Sequence, residues 1–174
     1  MNKLWAMAAS LWMLSIFATS SSVVTVGQLA HVVSSAAAGQ VTEGGFRQVW
    51  EHVWWIFVKG WHATEFGILY LLVWRAAPSK QTLSLALPAL FAISDEFHQL
   101  FVPSRGCGVS DVCIDWLGIA AAWSFASGWL GGHKRRPALL LALVGTCIGL
   151  LFLLSVYPFG LITLSAGAPA GSRP

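Results

Sequence analysis

Five apolar runs punctuate the chain, at about 4–26, 60–77, 82–101, 111–130 and 137–157. Each is close to the roughly 20 residues an α-helix needs to cross about 30 Å of hydrocarbon. One of the polar separators, 27–58, is long enough to hold an element of its own. Within it Phe46, Val49, Trp50, Val53, Trp54 and Phe57 recur at i, i+3, i+4, i+7, i+8 and i+11, with Arg47, Gln48, Glu51 and His52 elsewhere on the wheel. That spacing predicts an amphipathic helix whose tryptophan face lies at the headgroup boundary, burying carbon while the indole N–H stays wet. A re-entrant helix packed over the spans is the alternative. Glu51 and His52 are then solvated. The pattern predicts an all-α polytopic membrane protein. A four-helix membrane domain occupies 1–130, with the outer loop and interfacial helix at 27–58. A basic inner loop, a fifth span and a short weakly polar tail make up 131–174.

Composition supports the membrane reading. Only 10% of residues are charged and 56% are hydrophobic, against about a quarter charged in soluble domains. The formal charge of +3 comes from short clusters beside apolar runs. It therefore reads as a topology signal, with no basic stripe for nucleic acid. Cys107, Cys113 and Cys147 include no Cys-x-x-Cys pair, which excludes a zinc knuckle; a Cys107–Cys113 bridge stays open. Cys113 and Cys147 otherwise read as small apolar residues of packed helices, and His31 and His133 as solvated groups. The first apolar run exceeds the about 7–15 residues of a signal-peptide core, so it is read as a retained span.

Lysine and arginine set the orientation. With the N-terminus inside, Lys3, Arg75, Lys80, Lys134, Arg135 and Arg136 are cytoplasmic, and Arg47, Lys59, Arg105 and Arg173 are outside. That balance favours a plasma (inner) membrane protein with a cytoplasmic N-terminus and an external C-terminus. All seven acids (Glu43, Glu51, Glu65, Asp95, Glu96, Asp111, Asp115) then fall toward the outer face.

Five of those acids carry the candidate chemistry, because ionisable groups at membrane depth mark functional sites by default. His62 and Glu65 are one turn apart in the second run, with Lys59 one turn above. Arg75 lies about 24 Å of helix beyond Lys59, so His62 and Glu65 must dip below the outer headgroups. In the third run Asp95, His98 and Gln99 share a face, and Glu96 pairs with Gln99 at i, i+3. Asp111 and Asp115 form a second acidic face in the fourth run. Between them 102–106 is a tight turn that sets Arg105 beside the carboxylates, to neutralise part of their charge or present a fork to an anion. Gly118 and Ala122 form a small-xxx-small face for close helix packing.

Three blocks carry a family resemblance. Lys59-x-x-His62-x-x-Glu65-Phe66, Asp95-Glu96-x-His98-Gln99-x-Phe101-Val102-Pro103-x-Arg105 and Asp111-Val112-x-Ile114-Asp115-x-x-Gly118 resemble the signature of the VanZ-like family of small membrane proteins. The resemblance covers roughly 4–130 and includes the serine-rich end of the first run (Ser20, Ser21, Ser22). It departs at Val58, where an Asp is common, at Phe66 for Tyr and at Asp115 for Asn. The tryptophan-rich loop and fifth run look like additions. The family takes its name from a member associated with teicoplanin resistance.

Two classes of function stay open. One is an envelope protein whose outer polar site binds, or modifies access to, an anionic lipid-linked precursor or glycopeptide, with Arg105 and Lys59 as anion contacts and membrane lipids as surroundings. The other is an intramembrane hydrolase or transferase. There His62, Glu65, Asp95 and His98 hold a divalent metal, or His98 oriented by Asp95 acts as a metal-free base. Ion translocation would need polar groups through the inner halves of the spans, which lack them.

Overall fold

A computed structural model describes residues 1–127 except 23, 39, 104 and 106, together with 163 and 164. It contains α1 (Lys3–Ser20), α2 (Val26–Ala36), α3 (Glu43–Ala76), α4 (Gln81–Gln99) and α5 (Val109–Phe125). A two-residue antiparallel ladder pairs β1 (Cys107–Gly108) with β2 (Thr163–Leu164). The run at 137–157, His133, Cys147 and the basic cluster 134–136 lie outside the described residues.

The long helix α3 organises the bundle and touches each of the other four helices. Phe66, Leu69, Tyr70 and Val73 on α3 are buried against Ala9 and Ile16 of α1, Ala92 of α4 and Ile119 of α5. Two hydrogen bonds pin α1 along it: Asn2 N to Ala76 O at 2.8 Å, and Trp12 Nε1 to Glu65 O at 2.9 Å. The helices α1 and α3 are therefore antiparallel here, and α1 is built into the core.

On the α5 side the expected small-residue seam is present. A Cβ placed on Gly118 would stand 1.9 Å from Ala63 O, and one on Gly67 would stand 3.1 Å from Gly118 O and 3.5 Å from Ala122 Cβ. Only glycine lets the two backbones approach so closely.

Two features differ from the sequence expectation. The amphipathic stretch and the second apolar run are one uninterrupted 34-residue helix, α3, so the tryptophan stretch expected as an interfacial helix within 27–58 is not a helix of its own. Gly60 is the sole weak point at the expected break, and its cost of about 1 kcal/mol is too small to stop a helix capped at Thr42 and packed against the other helices over its second half. The second is α2, which begins with a capping box in which Thr25 and Gln28 satisfy each other's backbone N–H groups. It folds back on the start of α3, where His31 Nδ1 lies 3.3 Å from Glu43 Oε1 and Arg47 Nη2 lies beside Gly27. The first turns of α3 thus gain a protein partner in an αα-hairpin.

Among the described residues one segment, Ile56–Ala76 of α3, is long and apolar enough to cross a membrane by length and composition, with a mean hydropathy of 1.2. Cys113 is a free thiol, so the Cys107–Cys113 bridge is not formed.

Candidate functional site

The C-termini of α1 and α4, the middle of α3 and the start of α5 meet at one end of the bundle, where the polar side chains converge. The α1 terminus ends in Thr19-Ser20-Ser21-Ser22, short hydroxyls that reach neighbouring groups without displacing the packed backbone. Ser20 donates to Asp95 Oδ2 at 2.7 Å, Thr19 Oγ1 donates to Glu65 Oε1 at 3.1 Å, and Ser21 Oγ lies 3.0 Å from His98 Nε2. Ser20 and Ser21 belong to the serine-rich end already noted in the sequence, without partners assigned to them; Thr19, which does not stand out by charge, extends that run of hydroxyls closing an otherwise apolar helix.

Four carboxylates are buried. Asp95, 1% exposed, accepts from Ser20 and from Gln99 Nε2 at 3.2 Å, leaving Oδ1 without a hydrogen bond. Glu96 accepts the Gly108 N–H at 2.6 Å. Gly108 is the N-cap of α5 and has no side chain to cap with, so the Glu96 carboxylate serves the positive end of that helix. Glu65 is held by Thr19. Asp115, 2% exposed, has its Oδ1 3.9 Å from His62 Nδ1 and without a hydrogen bond. Above it Lys59 pairs directly with Asp111 across the α3–α5 seam.

Arg105 is placed differently from expectation. Among the described residues it makes no ion pair with a carboxylate. Nη2 donates to Ser22 O at 2.8 Å and Thr19 O at 3.4 Å, and Nη1 to Gln99 Oε1 at 3.3 Å. The last carbonyls of a helix have no intrahelical donor, and α1 has no basic residue in its own last turn. Arg105 answers both deficits from another element. The Asp95–His98 pairing also fails to form. Asp95 bonds Ser20 and Gln99, while the His98 ring stacks on Phe17 with centroids 4.0 Å apart. Three and four residues along a helix give different radial directions, and Gln99 alone points to Asp95. His62, Glu65, Asp95 and His98 consequently do not share one coordination sphere, and among the described residues no group of three or more His, Cys, Asp or Glu side chains is arranged to hold a metal ion.

Beside this network opens a cavity of ≈ 250 Å³ lined by Thr19, Ser20, Trp50, Phe57, Val58, Trp61, His62, Glu65 and Arg105. One wall is aromatic and apolar. The other offers a guanidinium, an imidazole, a carboxyl and two hydroxyls.

A helical bundle whose end is stitched by hydroxyl–carboxylate pairs, with an amphipathic cavity opening beside them, defines a class of protein with one polar site at one end of an apolar scaffold. The chain matches the model of the VanZ/LLP1 family over residues 4–130 and belongs to that family. The matched range contains every candidate site residue. No curated protein and no solved structure matches the chain.

Proposed function

We propose that this VanZ-family chain is a multi-pass membrane protein of the cell envelope whose outer-face cavity binds an anionic lipid-linked ligand. One observation carries the reading. In the ≈ 250 Å³ cavity Arg105, paired with no carboxylate among the described residues, faces an apolar wall of Trp50, Phe57, Val58 and Trp61. An anion would meet the guanidinium, and its chain Phe57, Val58 and Trp61. Lys59, the other expected anion contact, is committed to Asp111 and helps shape the site.

The membrane setting is supported by Leu4, Met7, Leu11 and Leu14, which form a stripe along α1 and are each 57–65% exposed. A patch of that size and spacing requires an apolar surrounding. Helices α1, α4 and α5 have 18, 19 and 17 residues, about 26–28 Å each and near the hydrocarbon thickness. Lys3, Arg75 and Lys80 gather at the end opposite the acids, which supports that end as the cytoplasmic one. Residues 163–164 pair beside the start of α5, at the acidic end. That supports a C-terminus outside. Family membership fits a resistance-related role, in which the bound ligand is an envelope precursor or a glycopeptide.

The test titrates farnesyl diphosphate into protein in nanodiscs and follows tryptophan fluorescence. Saturable quenching is expected, weakened at least about tenfold in Arg105→Ala and partly restored in Arg105→Lys. Unchanged affinity in Arg105→Ala sinks the reading.

A second reading, an intramembrane hydrolase or transferase, is favoured by His62, which lines the cavity with the Asp115 carboxylate behind it. Such a pair can orient an imidazole as a base toward a water or hydroxyl in the cavity. Phosphate release from the bound probe, lost in His62→Gln with binding retained, is its signature. Intact probe after prolonged incubation rejects it for this substrate class.

A further inference from the structure

On the hairpin side a second concave surface of ≈ 290 Å³ adjoins the cavity, lined by Val26 of α2 and Arg47, Trp50, Glu51 and Trp54 of α3. Trp50 belongs to both linings. Its ring is held in place by stacking against Phe46 and Phe57, each with centroids 5.7 Å away. A ligand anchored at Arg105 therefore meets this second surface immediately beyond the shared indole.

The polar groups there are under-used. Arg47 Nη2 stands 3.9 Å from Glu43 Oε2, both side chains being about half exposed at 48% and 47%, a surface pairing of little energetic weight. Glu51 makes no hydrogen bond or ion pair among the described residues. Two indoles beside one fork of donors and one pair of acceptors match a particular chemistry. Sugar rings present C–H faces that stack on indoles, and hydroxyls that both donate to carboxylate and accept from guanidinium. A bare acyl chain would bring Glu51 against hydrocarbon, and a bare phosphate would leave the indoles without a partner. Arg47 and Trp54 lie seven residues apart, about 10 Å along α3, which leaves room for one or two rings.

We infer that this hairpin groove is a saccharide subsite, and that the ligand of the Arg105 cavity is a lipid-linked sugar whose anionic group sits at Arg105 and whose sugar stacks on Trp50 and Trp54 between Arg47 and Glu51. The inference rests on the anionic-lipid reading above.

The experiment compares farnesyl diphosphate with its N-acetylglucosamine conjugate on the full chain in nanodiscs. The conjugate binds at least about tenfold tighter to the native protein, and Arg47→Ala and Trp54→Ala each remove that increment while leaving farnesyl diphosphate affinity unchanged. Arg105→Ala weakens both probes. Equal affinity of the two probes, with the Arg105→Ala effect intact, overturns the saccharide subsite and leaves the anion site standing. Failure of both probes to bind overturns the two together. Circular dichroism and the unchanged farnesyl diphosphate affinity report that the variants are folded.

Discussion

Substituting Gly118 by alanine is the most demanding test of how the site is built. The added Cβ would lie 1.9 Å from Ala63 O, 2.6 Å from Ala63 C and 2.7 Å from its Cα. An ordinary contact is about 3.5 Å, so α3 and α5 must part by roughly 1.5 Å, and the obstacle is backbone that no rotamer change can clear. Overpacking of a core costs about 1–3 kcal/mol; with no flexible neighbour to yield, the upper end applies. For a chain of this size about 3 kcal/mol lowers the midpoint by roughly 6–12 °C. Damage is expected beyond stability, since the same seam sets Lys59 against Asp111 and His62 against Asp115. Gly60→Ala is the matched control. A Cβ there meets nothing within 4 Å, so exchanging glycine for the best helix former should be neutral or stabilising by up to about 1 kcal/mol. Thermal unfolding of both variants in one detergent decides the matter. If Gly118→Ala melts within a degree of the native protein, the close approach of α3 and α5 is wrong.

Other expectations follow from single contacts. Ser20→Ala strips the buried Asp95 of its 2.7 Å donor and should cost about 1–3 kcal/mol, measured by chemical denaturation; a Ser20→Ala, Asp95→Asn double variant should lose less than the sum. Trp12→Phe removes the bond to Glu65 O and should cost about 1 kcal/mol beyond any change in packing. For topology, a cysteine at Ser35 in a background lacking the three native cysteines should react with an impermeant maleimide added to intact cells. One at Lys80 should react only after lysis, and the reverse pattern inverts the proposed orientation.

Helical spacing alone was enough to single out the ionisable side chains that the structure gathers at one end of the bundle, because desolvation makes every charge in so apolar a chain conspicuous. It also supplied the Gly118–Ala122 seam, since a small-xxx-small face depends on residue size and period only. Pairing was less legible. Arg105 looked like the counter-charge of the acids and is instead the cap of α1, a role that depends on which helix end comes to lie beside the 102–105 turn. Asp95 and His98 share a helix face yet take different partners, Ser20 and Ser21, from a helix some 75 residues earlier in the chain.

What the sequence determined by itself is the apolar scaffold, the family signature and the set of polar residues, all properties of composition and local period. Tertiary structure decided the rest. It fused the amphipathic stretch with the following apolar run into α3, because one weak glycine cannot end a helix capped at Thr42 and packed firmly beyond residue 65. It folded α2 back onto the first turns of α3, and it chose which hydroxyl, carbonyl or carboxylate completes each buried charge. Those choices turn on distances of a few ångströms between elements far apart in the chain, and no periodicity within one helix encodes them.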